Sequence, residues 1–388
     1  MSEVVIAGVG QVAVGEHWQV SLRSMAARAI LAAIKDAGGM RPQALYVGNF
    51  LGPVISHQSN MGVVFVDNTG LGGIETFTVE AAEASGAAAL RMGYIAVASG
   101  WLDTVAVIGV EKYTDSASPP ALAAAIAQSQ DYDYESMQGM TAAGQAGLLM
   151  QRYLHQYNAP RDAFSALPVL AHANAVHNPN AMFRKAINPE AYRRASLVSD
   201  PLNILDMAPY ADGAAAALIT RSDLVPEDVG HPLVRISGSS SVIDTLALHD
   251  RPDPLAFSAA RISVERACRK AGILPSDVDL FELSDPFSIY AILSLEAGGF
   301  AAPGEGWRMA QDGCFNLDGS MPIQTMGGCK ARGNPLAATG VYQAVEASLQ
   351  LRGEAGANQV HGARRALIQS LGGPASTAVT HVLERWPL

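Results

Sequence analysis

Apolar and small residues dominate the stretch between residues 78 and 111, and their pattern predicts a turn, a helix and a buried strand. Residues 87–98 carry a single charge, Arg91, and their apolar positions recur at helical rather than alternating spacing. A Ser-Gly pair ends this helix, and the continuous apolar run 104–108 is typical of a strand covered on both faces. A helix so rich in Ala and Gly is expected at the centre of the fold, because it lets backbones approach closely. The carboxylate of Glu83 lies at its N-terminal end.

The order of predicted elements occurs twice along the chain. Each half begins with a strand that ends in glycine, continues through a helix and a second strand, and reaches a Gly-rich elbow followed by a helix and a strand. The first half begins at residues 4–10 and the second at residues 232–238. This repetition predicts an internal duplication in which each half is a mixed sheet covered by helices.

Residues 113–150 differ from both halves in composition. They are rich in Ser, Pro, Gln and Tyr, contain the acidic run DYDYES, and end in a helix rich in Met and Gly. We interpret this segment as an inserted lobe over the mouth of a site. Met137, Met140 and Met150 give it an adaptable apolar surface, which we assign to packing rather than to an acyl tunnel.

Composition and charge narrow the classes of function. The charged fraction of 16% is below the usual quarter, which indicates that another subunit covers part of the surface. The net charge of −10 argues against a nucleic-acid partner, because such proteins neutralise phosphates with basic patches. The three cysteines lack CxxC or Cys/His spacing, and no apolar segment is long enough to span a membrane. With no basic leader visible, we expect a cytoplasmic protein without disulfides, a structural zinc site or a membrane span.

Motifs along nearly the whole chain resemble those of the thiolase superfamily, especially the archaeal-type acetoacetyl-CoA thiolases and the sterol-carrier-type thiolases. They include VEAAEASGAAALR, DPLNILDMAPYADGAAA, GNPLAATGVYQAVEASLQLRGEAG and QSLGGPASTAVTHVL. The resemblance implies an α/β thiolase fold, a duplicated αβαβα five-layered sandwich, with a short inserted loop lobe. The predicted units are an N-terminal thiolase half at 1–112 and 201–230, the lobe at 113–200 and a C-terminal thiolase half at 231–388.

The resemblance also marks the catalytic positions, and most of them are changed. The family's nucleophilic cysteine belongs to a motif like EAACASG, which here reads EAAEASG with Glu83 at that position. Ser284 stands where an HDCF-like motif has histidine, and Asn334 stands where a GHP motif has histidine. The candidate catalytic residues are therefore Glu83, Ser284, Asp285 and Asn334, with the backbone of Gly372 and Gly373 as an oxyanion site and Tyr290 and Tyr342 as possible acids.

These changes argue against ordinary acetyl-CoA acetyltransferase activity, because a carboxylate is a weak nucleophile towards a thioester. Two interpretations of Glu83 remain open. In the first, Glu83 is a general base or acid whose pKa is raised by desolvation. In the second, its negative charge stabilises a helix N-terminus and the chain has no catalytic activity. Ser284 and Asn334 are either donors to a thioester or enolate oxygen or small polar packing residues. The two tyrosines are either acids or core residues.

Two functions follow from the resemblance. In the first, the chain makes or breaks a carbon–carbon bond of an acyl-CoA without an acyl-cysteine, by retro-aldol cleavage or decarboxylation. In the second, it is an inert subunit of a heteromeric acyl-CoA complex. Both imply a CoA thioester as substrate or ligand, with no covalently bound cofactor and no metal. Both also imply a homodimer or a heterodimer with another thiolase-fold chain, and the archaeal-type relatives add a possible small OB-fold and zinc-ribbon partner.

Overall fold

A computed structural model describes residues 3–387. The first half contributes five strands to a large mixed sheet, which are β1 Val4–Gln11, β2 Ala44–Gly48, β3 Glu75–Val79, β4 Thr104–Glu111 and β7 Gly213–Arg221. Its helices are α1 Leu22–Asp36, α2 Gly52–Ile55, α3 Met61–Thr69 and α4 Ser85–Ala98. The predicted helix and strand of the central stretch are thus both present, as α4 and β4.

The second half contributes four strands, β8 Leu233–Ile243, β9 Leu280–Leu283, β10 Arg365–Gly372 and β11 Thr377–Trp386. Its helices are α9 Ser258–Ala271, α10 Ser288–Ala297, α11 Gly306–Gln311 and α12 Thr339–Arg352. Between β4 and β7 lie α5 Pro119–Ile126, α6 Ala142–Gln156, α7 Ala166–Ala175, α8 Pro189–Arg193 and a small hairpin of β5 Leu197–Ser199 and β6 Leu202–Asn203.

The strand order shows the duplication directly. The sheet runs β3-β2-β4-β7-β1-β8-β11-β10-β9, and the two halves meet where β1 and β8 pair antiparallel. Outward from that junction, β1-β7-β4-β2 matches β8-β11-β10-β9. The first two pairs in each series are antiparallel and the last is parallel. The mixed sheet in each half agrees with the prediction.

Alternate residues of the strands enter different apolar cores, which produces the layers. In β4, Val105 and Val107 pack with α4 and α12, whereas Ala106 and Ile108 pack with α1 and α3. In the second half, Phe281 packs in the core that contains α9 and α10, and its neighbour Leu280 packs in the core that contains α12. Successive strand residues point to opposite faces. The helices α4 and α12 therefore form the central layer of a five-layered sandwich.

Glycines allow α4 and α12 to cross closely. A Cβ atom on Gly86 would lie 2.3 Å from the carbonyl oxygen of Ala337, and one on Gly340 would lie 2.5 Å from the backbone nitrogen of Ala87. Both distances are far below contact distance, and the obstructing atoms belong to the backbone. The small-residue composition of the central stretch thus serves the close approach that the sequence predicts.

The strand β7 begins at Gly213, after an irregular segment that includes Pro209. The strand β3 is missing from the prediction. It is an edge strand whose side chains are half-buried or exposed, so it lacks the continuous apolar run of a central strand.

The segment between β4 and β7 does not have a core of its own. Leu149, Met150 and Tyr153 of α6 pack in the same apolar cluster as α10. This shared core fixes the lobe against the second half of the chain. Within residues 3–387, no helix combines the length and hydropathy needed to cross a bilayer.

Candidate functional site

A small cavity lies where the N-terminus of α4 meets the C-terminal end of β10. We call it the Glu83 cavity. Its volume is about 30 Å³, room for about two water molecules. Side chains from the first half, the lobe and the second half converge on it, and its chemically active members are Glu83, Tyr210, Ser284, Tyr290, Cys329 and Asn334.

The turn between β3 and α4 presents Glu83 to this cavity. Ala82 adopts a left-handed backbone with φ of 51°, a conformation that costs energy in a residue with a Cβ. The hydroxyl of Ser85 holds the turn, because it donates to the carbonyl of Ala82 and accepts from the N–H of Ala81. The Oε2 atom of Glu83 then accepts the backbone N–H of Gly373 at 2.7 Å.

Burial raises the pKa of Glu83 above its ordinary value. Hydrogen bonds from the backbone N–H of Gly373, from its own N–H and from the hydroxyl of Ser129 act in the opposite direction but do not cancel the desolvation. The carboxyl group therefore keeps its proton to a higher pH than an exposed glutamate. A group with this property exchanges protons closer to neutral pH, as a general acid or base requires.

Two phenols, those of the half-buried Tyr210 and the buried Tyr290, share the cavity with Glu83. Burial raises the pKa of each phenol above its ordinary value, and the charge of Glu83 raises both further. Tyr290 is held edge-on between Phe257 and Phe287, with ring centroids 5.3 Å and 5.2 Å away. Both phenols consequently remain protonated and are available as hydrogen donors.

The polar groups opposite Glu83 are oriented by backbone contacts. The Ser284 hydroxyl accepts the N–H of Leu371 at 3.2 Å, so its own hydrogen remains available to donate. The Oδ1 atom of Asn334 accepts from the N–H of Leu336 at 3.1 Å and from the hydroxyl of Thr339 at 3.3 Å. Because these donors occupy the oxygen, the Asn334 NH₂ group is the end that is free to donate.

Three of the predicted site residues do not line the cavity. Asp285 is fully buried beneath it, where its carboxylate accepts the N–H groups of Cys329 at 2.6 Å and Lys330 at 3.3 Å and so holds the helical turn Gly328–Arg332. Gly372 ends β10, and its carbonyl accepts the hydroxyl of Ser376. The structure thus gives both residues supporting roles around the site.

Tyr342 is the third of these residues, and its contacts explain its distance from the cavity. Its hydroxyl donates to the carbonyl of Val12 at 2.6 Å and accepts the N–H of Ala214 at 2.9 Å. These two bonds join α12 to the strands of the first half. The phenol is therefore hydrogen-bonded within the core and does not line the Glu83 cavity.

The sequence did not single out several residues that the structure brings to the site. Tyr210 comes from the irregular segment before β7, and Ser129, Gln130 and Gln145 come from the lobe. Cys329 also lines the cavity, but burial raises the pKa of its thiol to about 12. With this raised pKa, the side chain is a protonated thiol at neutral pH, whereas the nucleophilic form of cysteine is the thiolate.

Among residues 3–387, no group of three or more His, Cys, Asp or Glu side chains is placed to hold a metal ion.

Comparison with known families identifies the class of protein. The profile described as "Thiolase, N-terminal domain" matches residues 4–223, and the profile described as "Thiolase C-terminal domain-like" matches residues 240–385. Together they span nearly the whole chain. The chain belongs to the thiolase family, whose members use CoA thioesters as substrates.

Individual relatives agree with this assignment. The chain is 40% identical to an acetyl-CoA acetyltransferase of Methanothermobacter thermautotrophicus, over 99% of this chain and 100% of the relative. It is 29% identical to the benzoylsuccinyl-CoA thiolase subunit BbsB of Thauera aromatica, over 92% of this chain and 91% of the relative. A solved structure titled "Ltp2-ChsH2(DUF35) aldolase" superposes with a TM-score of 0.87 at 22% identity, covering 100% of this chain and 99% of that one. That likeness shows a shared fold.

Proposed function

We propose that the chain cleaves a carbon–carbon bond of a β-hydroxyacyl-CoA thioester by a retro-aldol reaction, without a covalent acyl-enzyme. The observation that carries this proposal is the convergence of the Glu83 carboxylate, two protonated phenols and two oriented donors in one small cavity. Membership of the thiolase family supports a CoA thioester as the ligand. The aldolase title of the structural neighbour is compatible with this reaction.

Four of these groups have a role in the proposed reaction. The Glu83 carboxylate removes the proton from the β-hydroxyl group, and the Cα–Cβ bond breaks as the carbonyl of the first product forms. The electron pair of that bond moves into the thioester as an enolate, whose oxygen accepts hydrogen bonds from Ser284 and Asn334. Tyr290 then donates a proton to Cα, which releases the shorter acyl-CoA, and the proton held by Glu83 returns to the phenolate.

The side chains of the cavity favour this route over acyl transfer through a nucleophile. A carboxylate attacking a thioester would form a mixed anhydride, which lies above the thioester in energy. Cys329, the cysteine beside the cavity, is a thiol with a raised pKa and a poor nucleophile. A reaction through a hydrogen-bonded enolate uses neither the carboxylate nor the thiol as a nucleophile. It requires a base and an acid, which are Glu83 and Tyr290 in this proposal.

The alternative function is that of an inert subunit, and two observations favour it. The Glu83 carboxylate already accepts the N–H of Gly373, a donor that an oxyanion would otherwise use, and the cavity holds only about two water molecules. On this alternative, the chain forms a heterodimer with another thiolase-fold chain. The name of the Thauera aromatica relative includes the word subunit, and the Ltp2-ChsH2 title names two components. Both names are compatible with a partner chain. A homodimer and a complex with a small OB-fold partner are the other assemblies that we propose.

The test is turnover of a panel of β-hydroxyacyl-CoA thioesters, followed by mass spectrometry of the products. The wild type is compared with Glu83→Gln and Tyr290→Phe, and Tyr132→Phe at an exposed position is the matched control. We expect each site variant to lower kcat by about 10²- to 10⁴-fold, as removal of a general base or acid does. Turnover that survives Glu83→Gln would exclude the proposed base. Turnover that appears only after a cysteine-bearing thiolase chain is added would instead establish the subunit function.

A further inference from the structure

A separate cavity lies far from the candidate site, at the opposite end of β10. We call it the arginine groove, and its volume is about 540 Å³. The C-terminal end of α12, the loop before β10 and the end of β11 supply its lining. Gly373, just after β10, contacts Glu83, whereas Arg364 of the groove directly precedes β10. The eight residues of β10 therefore separate the two sites by about 26 Å, at about 3.3 Å for each residue.

The charged side chains that line the arginine groove are basic. They are those of Arg364 and Arg385, and the ring of His361 adds a further nitrogen donor. Among residues 3–387, no Asp or Glu lines the groove, although the chain as a whole has a net charge of −10. A concave surface that carries charges of one sign concentrates ions of the other sign. The groove therefore attracts anions to a protein that otherwise repels them.

The two arginines lie opposite each other across the ends of β10 and β11. The N–H of Arg385 donates to the carbonyl of Arg364 at 2.9 Å, which continues the antiparallel register of Arg365 with Glu384 by one residue. Residues paired in this way carry their side chains on the same face, where like charges are destabilising. Neither of the two guanidinium groups forms an ion pair within the described residues 3–387. A bound anion would relieve this repulsion.

The carboxylates around the groove are engaged elsewhere. Glu384 is buried, and it accepts the Nε–H of Arg235 at 3.1 Å and the Nε–H of Arg365 at 3.2 Å. Successive strand residues point to opposite faces, so Glu384 lies on the face away from Arg385. The carboxylate of Asp279 accepts the backbone N–H groups of Arg365 and of the residue before it, at 2.9 Å and 2.8 Å. The guanidinium groups in the groove are thus left for a ligand.

We propose that the arginine groove binds a small molecule that carries a diphosphate or triphosphate group. Guanidinium groups form paired, charge-assisted hydrogen bonds with phosphate oxygens. Two arginines favour a ligand with more than one negative charge, because a single charge would neutralise only one of them. The volume is within the range of small-molecule sites and leaves room for an organic group beside the phosphates. This site is independent of the proposed reaction, because it lies at the other end of β10.

The first test is isothermal titration calorimetry of the full chain with inorganic pyrophosphate. We expect saturable binding to the wild type. Arg364→Gln and Arg385→Gln each remove one guanidinium group and should weaken the binding by about tenfold or more. Arg28→Gln, at an exposed position on α1, removes the same charge and should bind as the wild type does. Absence of binding to the wild type, or a control that weakens as much as the groove variants, would overturn the proposal.

The second test measures unfolding in urea with and without pyrophosphate. Without the anion, Arg385→Gln should be at least as stable as the wild type, because it removes one of two opposed like charges. Pyrophosphate should raise the unfolding midpoint of the wild type and leave that of the variant unchanged, since a ligand stabilises the fold to which it binds. An equal rise in both proteins would place the anion elsewhere and contradict the proposal.

A comparison with orthophosphate tests the class of ligand. Orthophosphate carries fewer charges and offers fewer oxygens to two guanidinium groups. Its affinity for the wild type should therefore be lower than that of pyrophosphate by about tenfold or more. Similar affinities for the two anions would overturn the assignment to a diphosphate or triphosphate group.

Discussion

Replacing Glu83 by glutamine tests whether the site holds a carboxyl group of raised pKa. The substitution keeps the size of the side chain, and its amide oxygen can still accept the N–H of Gly373, 2.7 Å from the carboxylate in the wild type. The change therefore removes a titratable group and little else. Burial raises the pKa of Glu83 in the folded protein, whereas the unfolded chain titrates near the ordinary value of 4.5.

The sign of the effect follows from proton counts. Between the ordinary pKa and the raised pKa, the folded wild type holds one more proton than the unfolded chain. Its free energy of unfolding then falls as pH rises, by about 1.4 kcal/mol for each pH unit inside that window. Glu83→Gln lacks this contribution. The stability of the variant relative to the wild type should therefore increase with pH across the window and stay constant below it.

Urea denaturation at intervals between about pH 4 and pH 8 measures this difference, with the m-value checked at each pH. The same charge change at the exposed residue Glu227 is the control for general electrostatic effects. A stability difference between Glu83→Gln and the wild type that does not vary with pH would refute the raised pKa. It would also remove the basis for assigning Glu83 to proton transfer near neutral pH.

Three further predictions concern the frame around the site. Tyr342→Phe removes the hydroxyl that partners the buried N–H of Ala214 and the part-buried carbonyl of Val12. It should lower the free energy of unfolding by about 1–3 kcal/mol, measured in urea, while the acyl-CoA ligand range stays the same. Gly86→Ala drives a Cβ into the carbonyl of Ala337 and should cost about 1–3 kcal/mol or prevent folding; an unchanged unfolding midpoint would contradict the close crossing. Burial raises the pKa of Glu111 to about 8, so Glu111→Gln should remove a loss of stability that the wild type shows as pH rises from about 4.5 to about 8.

Periodicity predicted the central elements because their packing is expressed locally. The strand β4 is buried at every position and carries the apolar run 105–108, since its two faces enter two different cores. The helix α4 has small side chains, since it crosses α12 at Gly86. The edge strand β3 had no such signal, because none of its residues is fully buried and Phe77 is exposed. A strand that is buried thus leaves an apolar pattern from which it can be predicted, whereas an exposed edge strand does not.

The candidate site was predicted in part, and the failures have two causes. Glu83, Ser284 and Asn334 were placed by motif resemblance, and the structure brings them together. Asp285 follows Ser284 directly after a strand, where neighbouring side chains point in opposite directions, so it lies beneath the cavity. Tyr210 reaches the cavity from an irregular segment, and its position depends on long-range packing that no local pattern contains.

The most direct test of the central claim is intact-protein mass spectrometry during turnover of a β-hydroxyacyl-CoA. The account predicts that the wild type forms a carbonyl product and a shorter acyl-CoA while its own mass stays unchanged, and that Glu83→Gln loses both products. An acyl adduct on the wild type, at Glu83 or at Cys329, would contradict it, because the chain would then act through a covalent acyl-enzyme.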